Sequence, residues 1–171
     1  WSEDIANRIN GLEHERPVLP QVRVHQIRAG VVYDSGGVRI TAIEVPHGAW
    51  RYAFAYRIDA AQRSIVISGD TRPSRTLERA SAGVDVLVHE VYAGDSLRVE
   101  ARPGGEDWPR YMRDAHTSDA ELGAIAARIK PKLLVLTHLI RMGASDSTML
   151  AALRRGGFSG RAVIGRDGDR F

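Results

Sequence analysis

The feature that most constrains the fold of this chain is a short apolar run that ends in an acidic turn, residues 64–71. Residues 65–67 are Ile-Val-Ile, and this continuous β-branched run predicts a strand that is buried on both faces. The run stops at Ser-Gly-Asp-Thr, so the carboxylate of Asp70 follows the carboxyl end of a central strand. Ligand sites of open α/β sheets form at such strand ends. Asp70 is therefore a candidate catalytic or ligand-binding residue. The alternative is that Asp70 or Thr71 caps the following helix.

Composition limits the class of protein. The 171 residues are 43% hydrophobic, which suffices for one globular domain with a sizeable core. No apolar run approaches about 18 residues, so we expect no membrane span. Because the chain has no Cys, thiolate metal sites, disulfides and Cys nucleophiles are excluded. The net charge is +3 and the Arg residues are scattered, so we expect no nucleic-acid partner. Localisation stays open between the cytoplasm and a periplasmic or secreted location.

The order of predicted elements indicates a layered α/β domain. Residues 1–20 are predicted as a short helix (2–12) and a Pro-containing linker, and residues 21–171 as the main domain. Alternating apolar and polar residues predict strands at 22–27, 31–33, 37–45 and 52–58. Strands and helices alternate after Asp70, with helices at 74–82, 118–129 and 147–155 and strands at 84–88, 133–136 and 161–164. Residues 92–115 are predicted as a long irregular loop in which Trp108, Tyr111 and Met112 contact a substrate pocket or anchor a surface excursion.

Histidines are placed where the predicted sheet ends. His47, His89 and His138 each follow an apolar strand, and His116 precedes a helix, whereas His14 and His25 are expected to be exposed. If these strands share a sheet, their imidazoles lie close to Asp70. Imidazole and carboxylate are ligands for zinc, manganese or iron and a poor match to calcium. A single His in such a position is more often a structural residue than a ligand, so the prediction depends on the group.

Two further features surround His116. Thr117 or Ser118 is predicted to cap a helix, with Glu121 completing a capping box. Glu90 ends the strand that carries His89, and its most useful role is to orient a neighbouring imidazole.

Five ordered segments resemble the second half of the metallo-β-lactamase fold, with ribonuclease Z and the arylsulfatase and phosphodiesterase members nearest in pattern. The segments are Val45-Pro46-His47-Gly48, Ser68-Gly69-Asp70-Thr71-Arg72, Val88-His89-Glu90, His116-Thr117-Ser118 and Leu136-Thr137-His138. The resemblance implies an α/β fold, namely the C-terminal half of the αββα metallo-β-lactamase fold. That half is a mixed sheet with flanking helices, and the first half is expected to be absent.

The same resemblance implies roles for individual residues. His47 would bind one metal, His138 the other, and Asp70 would bridge them. His116 would stabilise charge that develops on the substrate, and Glu90 would orient His116. His89 and Thr71 have supporting roles, as a hydrogen-bonding residue and as a cap. The implied cofactors are two divalent metal ions, zinc first, with manganese or iron as alternatives.

One family signature is missing from the 171 residues. The first half of the family carries His-x-His-x-Asp-His, which supplies further metal ligands, and no such spacing occurs here. We therefore expect a C-terminal fragment in which metal is weakly bound or absent. We also expect an exposed apolar face unless the chain forms a homodimer or associates with the missing half.

These observations predict that the parent protein is a metal-dependent hydrolase of phosphodiester or related ester substrates. Only residues 59–63 separate two strands that a long connection joins in ribonuclease Z, which favours a small substrate over tRNA 3′ processing. The alternative is a non-catalytic fragment or interaction module with this fold. Lactamase or sulfatase activity is a further alternative.

Overall fold

The computed structural model describes residues 25–99 and 107–171. The predicted helix at 2–12, the linker that follows it and His14 lie outside these residues. Of the predicted strand 22–27, residues 25–27 are described and are not part of a strand. None of the described helices combines the length and the apolar character needed to cross a membrane.

Seven strands form one mixed sheet whose spatial order is the chain order. The strands are β1 (Gly30–Ser35), β2 (Val38–Glu44), β3 (Phe54–Ala60), β4 (Arg63–Ile67), β5 (Val86–Tyr92), β6 (Leu133–Ile140) and β7 (Ala162–Ile164). Strands β1 to β4 pair antiparallel, and β4 to β7 pair parallel. The predicted change from hairpins to βα units is therefore confirmed.

Short turns and capped helices explain this topology. Gly36 and Gly37 connect β1 to β2 with φ of 59° and 76°, which matches the positive φ values of a tight hairpin turn. The helices are α1 (Arg75–Ala80), α2 (Trp108–Ala115), α3 (Asp119–Ile129) and α4 (Asp146–Arg155). Ser118 and Glu121 form the predicted capping box of α3.

The helix cap predicted at Asp70 or Thr71 lies further along the chain, at Ser74. Ser74 is the N-cap of α1, and its side chain accepts a hydrogen bond from the Leu77 N–H. Asp70 and Thr71 are therefore not caps, and that prediction is wrong. The intervening Thr71 instead bonds other segments, as described below.

The prediction that the strand at residues 65–67 is buried on both faces is wrong. Val66 pairs with Leu87 of β5 and Leu87 with Leu134 of β6, and all three are fully buried on the face covered by α1, α3 and α4. Ile67, on the opposite face, is 40% exposed. The strand is continuously apolar because both of its faces carry branched side chains. Within the described residues, helices cover only the face that carries Val66.

The predicted loop at 92–115 contains regular structure. A 3₁₀ turn forms at Gly94–Ser96, and α2 occupies the last eight residues. Asp107 caps α2 by accepting from the Arg110 N–H, and Pro109 lies in the first helical turn, where the missing proline N–H costs nothing. The prediction that residues 108–115 are irregular is therefore wrong, because a proline in the first turn is compatible with a helix.

Candidate metal centre

Parallel strand pairing brings the predicted acidic and imidazole groups to one edge of the sheet. Asp70 follows β4, and His138 lies in β6. His138 Nδ1 is 3.6 Å from Asp70 Oδ1, and both side chains are partly exposed. One ligand atom each of Asp70, His116 and His138 lies within 4.8 Å of the others. The structure therefore places a carboxylate and two imidazoles at the separation of groups that share a metal ion.

Asp70 is positioned by the glycine before it. Gly69 has φ of 58°, and a Cβ at this position would lie 2.8 Å from the carbonyl oxygen of Phe54. Only glycine adopts this conformation at such a close approach without strain. The turn at Ser68-Gly69 therefore sets the direction in which the chain leaves β4 toward the cluster.

His138 is positioned by a β-bulge. Glu90 pairs with Thr137 and Val91 with Leu139, so His138 is the extra residue on β6. Its φ is 42°, a left-handed conformation that is unfavourable for a residue with a side chain. Bulges redirect side chains beside functional sites, and this one places the imidazole beside Asp70. His89 and His138, which were expected to follow strands, both lie within strands that are longer than predicted.

His47 lies in the turn after β2 and adjoins the cluster through His116. The two rings meet edge-on with centroids 5.1 Å apart. His47 Nδ1 donates a hydrogen bond of 2.8 Å to the carbonyl oxygen of Ala115. Because Nδ1 carries the proton, Nε2 is left with a free lone pair, which is the tautomer that a metal-ligating His adopts.

Glu90 joins the segments that carry the cluster. Its side chain is 1% exposed, and Oε1 accepts the backbone N–H of Thr71 at 3.2 Å and of Thr117 at 3.0 Å. The same oxygen lies 3.3 Å from His116 Nδ1. Among the described residues, Glu90 Oε2 has no hydrogen-bond partner. One buried carboxylate thus holds both the turn after Asp70 and the His116 segment.

Thr71 and His89 support the site from within the fold. The Thr71 hydroxyl lies 2.7 Å from the Arg72 carbonyl oxygen and 3.2 Å from the Pro46 carbonyl oxygen and donates to one of them at a time, and the Thr117 hydroxyl donates to the Thr71 carbonyl at 2.7 Å. His89 is buried and donates from Nδ1 to the Glu90 carbonyl at 2.7 Å. Burial lowers the pKa of His89, so its ring is neutral near pH 7.

The donor set fits a divalent cation of the zinc type. Imidazole nitrogens and a carboxylate oxygen converge, no thiolate is present in the chain, and the His47 tautomer leaves a nitrogen free.

His25, which was expected to be solvent-exposed, is exposed. Thr117 was not singled out for a role at the site, although it lies within the His-Thr-Ser segment that carries His116.

Comparisons with known proteins agree with this architecture. A family model described as a beta-lactamase superfamily domain matches residues 2–139. Ribonuclease Z of Mycobacterium tuberculosis (strain ATCC 25618 / H37Rv) is 32% identical over 149 residues, which is 86% of this chain and 53% of that protein. The chain spans about half the length of the curated relatives it matches.

Two solved structures share the fold. The metallo-beta-lactamase fold protein YhfI of Bacillus subtilis matches with a TM-score of 0.62 and 22% identity, covering 80% of this chain and 50% of that chain. Zn(2+)-bound PqqB of Methylobacterium extorquens matches with a TM-score of 0.57 and 18% identity, covering 82% of this chain and 52% of that chain.

The expectation that nucleic acid is not a partner is wrong, because the curated relatives at 32% identity are ribonucleases Z. That expectation depended on the absence of a basic tail. An enzyme that holds a nucleic-acid backbone in a cleft needs only a few positive side chains at that cleft, which leave no clustered signal in the sequence. The order of the motifs, the mixed sheet and the family match together show that this chain belongs to the beta-lactamase superfamily and has the metallo-β-lactamase fold.

Proposed function

We propose that this protein is a metal-dependent phosphodiesterase with RNA as its substrate class. The observation that carries the proposal is the cluster of Asp70, His116 and His138, whose ligand atoms lie within 4.8 Å of one another. The substrate class is supported by the similarity to mycobacterial ribonuclease Z. It replaces the small ester substrate that the sequence analysis favoured.

In this proposal, Asp70 and His138 of the cluster would hold two divalent cations together with His47, which is not a member of the cluster but contacts it through His116, with zinc as the first candidate. Asp70 lies 3.6 Å from His138 and can offer its second oxygen to another cation. Such cations lower the pKa of bound water and withdraw electron density from a phosphoryl oxygen. A carboxylate flanked by imidazoles would suit such cations, because carboxylate oxygen and imidazole nitrogen are both ligands that zinc accepts.

His116 acts on the substrate in this proposal, and Glu90 positions it. The Glu90 carboxylate beside Nδ1 favours a proton on that nitrogen. The His116 ring stacks on His138 with centroids 5.7 Å apart and meets His47 edge-on, so its orientation is restricted on two sides. When both of its ring nitrogens carry protons, an imidazole held in this way can donate a hydrogen bond from Nε2 to an oxygen of the phosphate as negative charge develops there.

The test compares the full-length wild-type protein with Asp70→Asn, and uses Asp34→Asn as a matched control because Asp34 lies in the distant strand β1. Elemental analysis measures metal content, and hydrolysis is measured on RNA and on bis(p-nitrophenyl) phosphate. We expect Asp70→Asn to lose metal and at least about a hundredfold in rate, and Asp34→Asn to keep both. If Asp70→Asn retains metal and rate, the proposal is wrong.

A non-catalytic interaction module is the second candidate, because the chain contains no His-x-His-x-Asp-His spacing. It predicts that the protein binds little zinc and hydrolyses neither substrate. Zinc bound near stoichiometry together with turnover excludes it.

A further inference from the structure

An open cleft of about 660 Å³ lies beside the candidate metal centre. Trp50, Arg72 and Tyr111 are among the residues that line it. The roles assigned above to the metal ligands, His116 and Glu90 do not use these three side chains. The inference drawn from them rests on the proposed function and concerns how the substrate is bound there.

Each of these residues is tied to the cluster through the backbone or by ring contact. The Trp50 N–H donates to the His47 carbonyl at 3.0 Å, and the Arg72 N–H donates to the Pro46 carbonyl at 3.0 Å. The Tyr111 ring meets the His116 ring edge-on at 5.9 Å. The cleft therefore has a fixed position relative to the groups that act on the phosphate.

Trp50 is the available stacking surface of the cleft. It is 71% exposed, although it is one of the largest apolar side chains. Tyr111 is also exposed, but one face of its ring stacks on Trp108 with centroids 5.5 Å apart. We therefore treat the Tyr111 ring as a side of the cleft and not as the surface on which a base stacks. An exposed indole beside a phosphodiesterase centre is suited to a nucleobase, because stacking on an aromatic ring is sequence-tolerant and favourable.

Of the charged side chains that line the cleft, the guanidinium of Arg72 is the one that is not engaged by another described residue. Asp107 caps α2, and Asp114 lies 3.4 Å from the Arg110 guanidinium. These two carboxylates and Arg110 are therefore engaged with one another or with the helix end. The Arg72 side chain forms neither a hydrogen bond nor an ion pair with any residue in 25–99 or 107–171. It lies two residues after Asp70, where a guanidinium can pair with a phosphate of the substrate.

We propose that this cleft binds the nucleotide next to the cleaved phosphate of an RNA strand, with the base on Trp50 and a backbone phosphate on Arg72. The site then requires that a base is present but does not distinguish one base from another, because the indole ring contacts the base only by stacking. Arg72 adds affinity that depends on phosphate and weakens with salt.

The experiment measures the part of the affinity that depends on the bases. Fluorescence anisotropy compares a labelled oligouridylate of about eight nucleotides with an abasic chain of the same length and phosphates. The full-length protein carries Asp70→Asn throughout so that the RNA stays intact. Into this background are introduced Trp50→Ala, Trp50→Phe, Arg72→Gln and, as the control, Tyr52→Ala, an exposed aromatic that lines a different cleft.

Trp50→Ala is expected to weaken binding of the oligouridylate about tenfold and to leave binding of the abasic chain unchanged. Trp50→Phe should retain most of the difference between the two ligands, and Tyr52→Ala all of it. Arg72→Gln should weaken both ligands equally. If Trp50→Ala keeps the full difference, or weakens both ligands alike, the proposal is overturned. The assay buffer contains EDTA, so the RNA stays intact even if Asp70→Asn retains hydrolysis, and this result is distinguishable from a failure of the proposed function.

Discussion

Glu90 Oε1 lies 3.3 Å from His116 Nδ1, and both side chains are buried. The same oxygen accepts the N–H groups of Thr71 and Thr117. A single carboxylate oxygen therefore joins β5 to the segment after β4 and to the segment that starts α3. Because these segments carry Asp70 and His116, the geometry of the site depends on one buried acid.

Replacing Glu90 should separate its structural role from its effect on His116. Glu90→Ala leaves two buried N–H groups without an acceptor, at about 1 to 3 kcal/mol each, so the free energy of unfolding should fall by about 2 to 6 kcal/mol. Glu90→Gln keeps an acceptor and should lose about 1 kcal/mol, while hydrolysis of RNA falls because the negative charge beside His116 is gone. Urea unfolding and initial rates measure the two effects. A stable Glu90→Ala variant would contradict this account.

Gly69 should tolerate no side chain, because of its surroundings as well as its φ. Gly69 and Gly36 have nearly equal φ values of 58° and 59°. A Cβ at Gly69 would lie 2.8 Å from the Phe54 carbonyl oxygen, whereas a Cβ at Gly36 would meet nothing within 4 Å. Both Ala variants should lose about 1 kcal/mol from backbone strain.

The variant Gly69→Ala should lose at least about 1 kcal/mol more than Gly36→Ala, since β3 must move to relieve the contact. It should also lower metal affinity, because Asp70 is displaced. Urea unfolding of the two variants side by side isolates the contribution of the Phe54 contact. Equal losses would show that the contact is relieved without cost.

Residue patterns near strand ends predicted the neighbourhood of the site. Parallel strands end at one edge of a sheet, so a carboxylate after β4 and imidazoles near the ends of the neighbouring strands had to lie near each other. That inference needs only that these strands share one parallel sheet, which the alternation of strands and helices favours. It placed Asp70 and His138 in one cluster without any knowledge of side-chain direction.

Features that depend on local backbone geometry were not predictable in this way. The bulge at His138 is a register shift between β5 and β6, and no residue type in β6 signals it. The helix α2 begins at a proline-containing turn, where the same residues are equally compatible with a loop. Likewise, a continuous apolar strand does not reveal which face is covered, so the exposure of Ile67 followed only from the packing of the helices.

Acid should weaken the connection between β4 and β5 through Asp85. Its carboxylate forms an ion pair with Lys132 at 2.6 Å and accepts the N–H and hydroxyl of Ser64. The hydrogen bond with Lys132, followed by those from Ser64, lowers the pKa of Asp85 to about 2. A lowered pKa stabilises the fold above the unfolded value near 3.9, and this contribution is lost as pH falls toward about 2.

The variant Asp85→Asn should therefore be less stable than wild type at pH 6, and the gap should close between about pH 4 and pH 2. Urea midpoints measured across this range provide the test. Lys132→Met removes the largest cause of the lowered pKa, so the Asp85 contribution should be smaller and its loss in acid should be complete at a higher pH. A gap that stays constant with pH would show that the Asp85 charge does not contribute.

The left-handed conformation of His138 should impose a cost in stability that serves the site. With φ of 42°, His138 loses about 1 kcal/mol relative to glycine. His138→Gly should therefore raise the free energy of unfolding by about 0.5 to 1 kcal/mol and weaken zinc binding, because the imidazole is gone. His138→Asn should be close to neutral in stability and equally poor in zinc binding, since Asn tolerates this conformation.

The matched control is Lys130→Gly, because Lys130 also has a positive φ, 54°, but ends α3 away from the cluster. It should gain similar stability and keep its zinc affinity. Urea unfolding and zinc titration of the three variants separate backbone strain from ligation. If His138→Gly is destabilised or keeps its zinc affinity, the strained bulge does not serve to place a metal ligand.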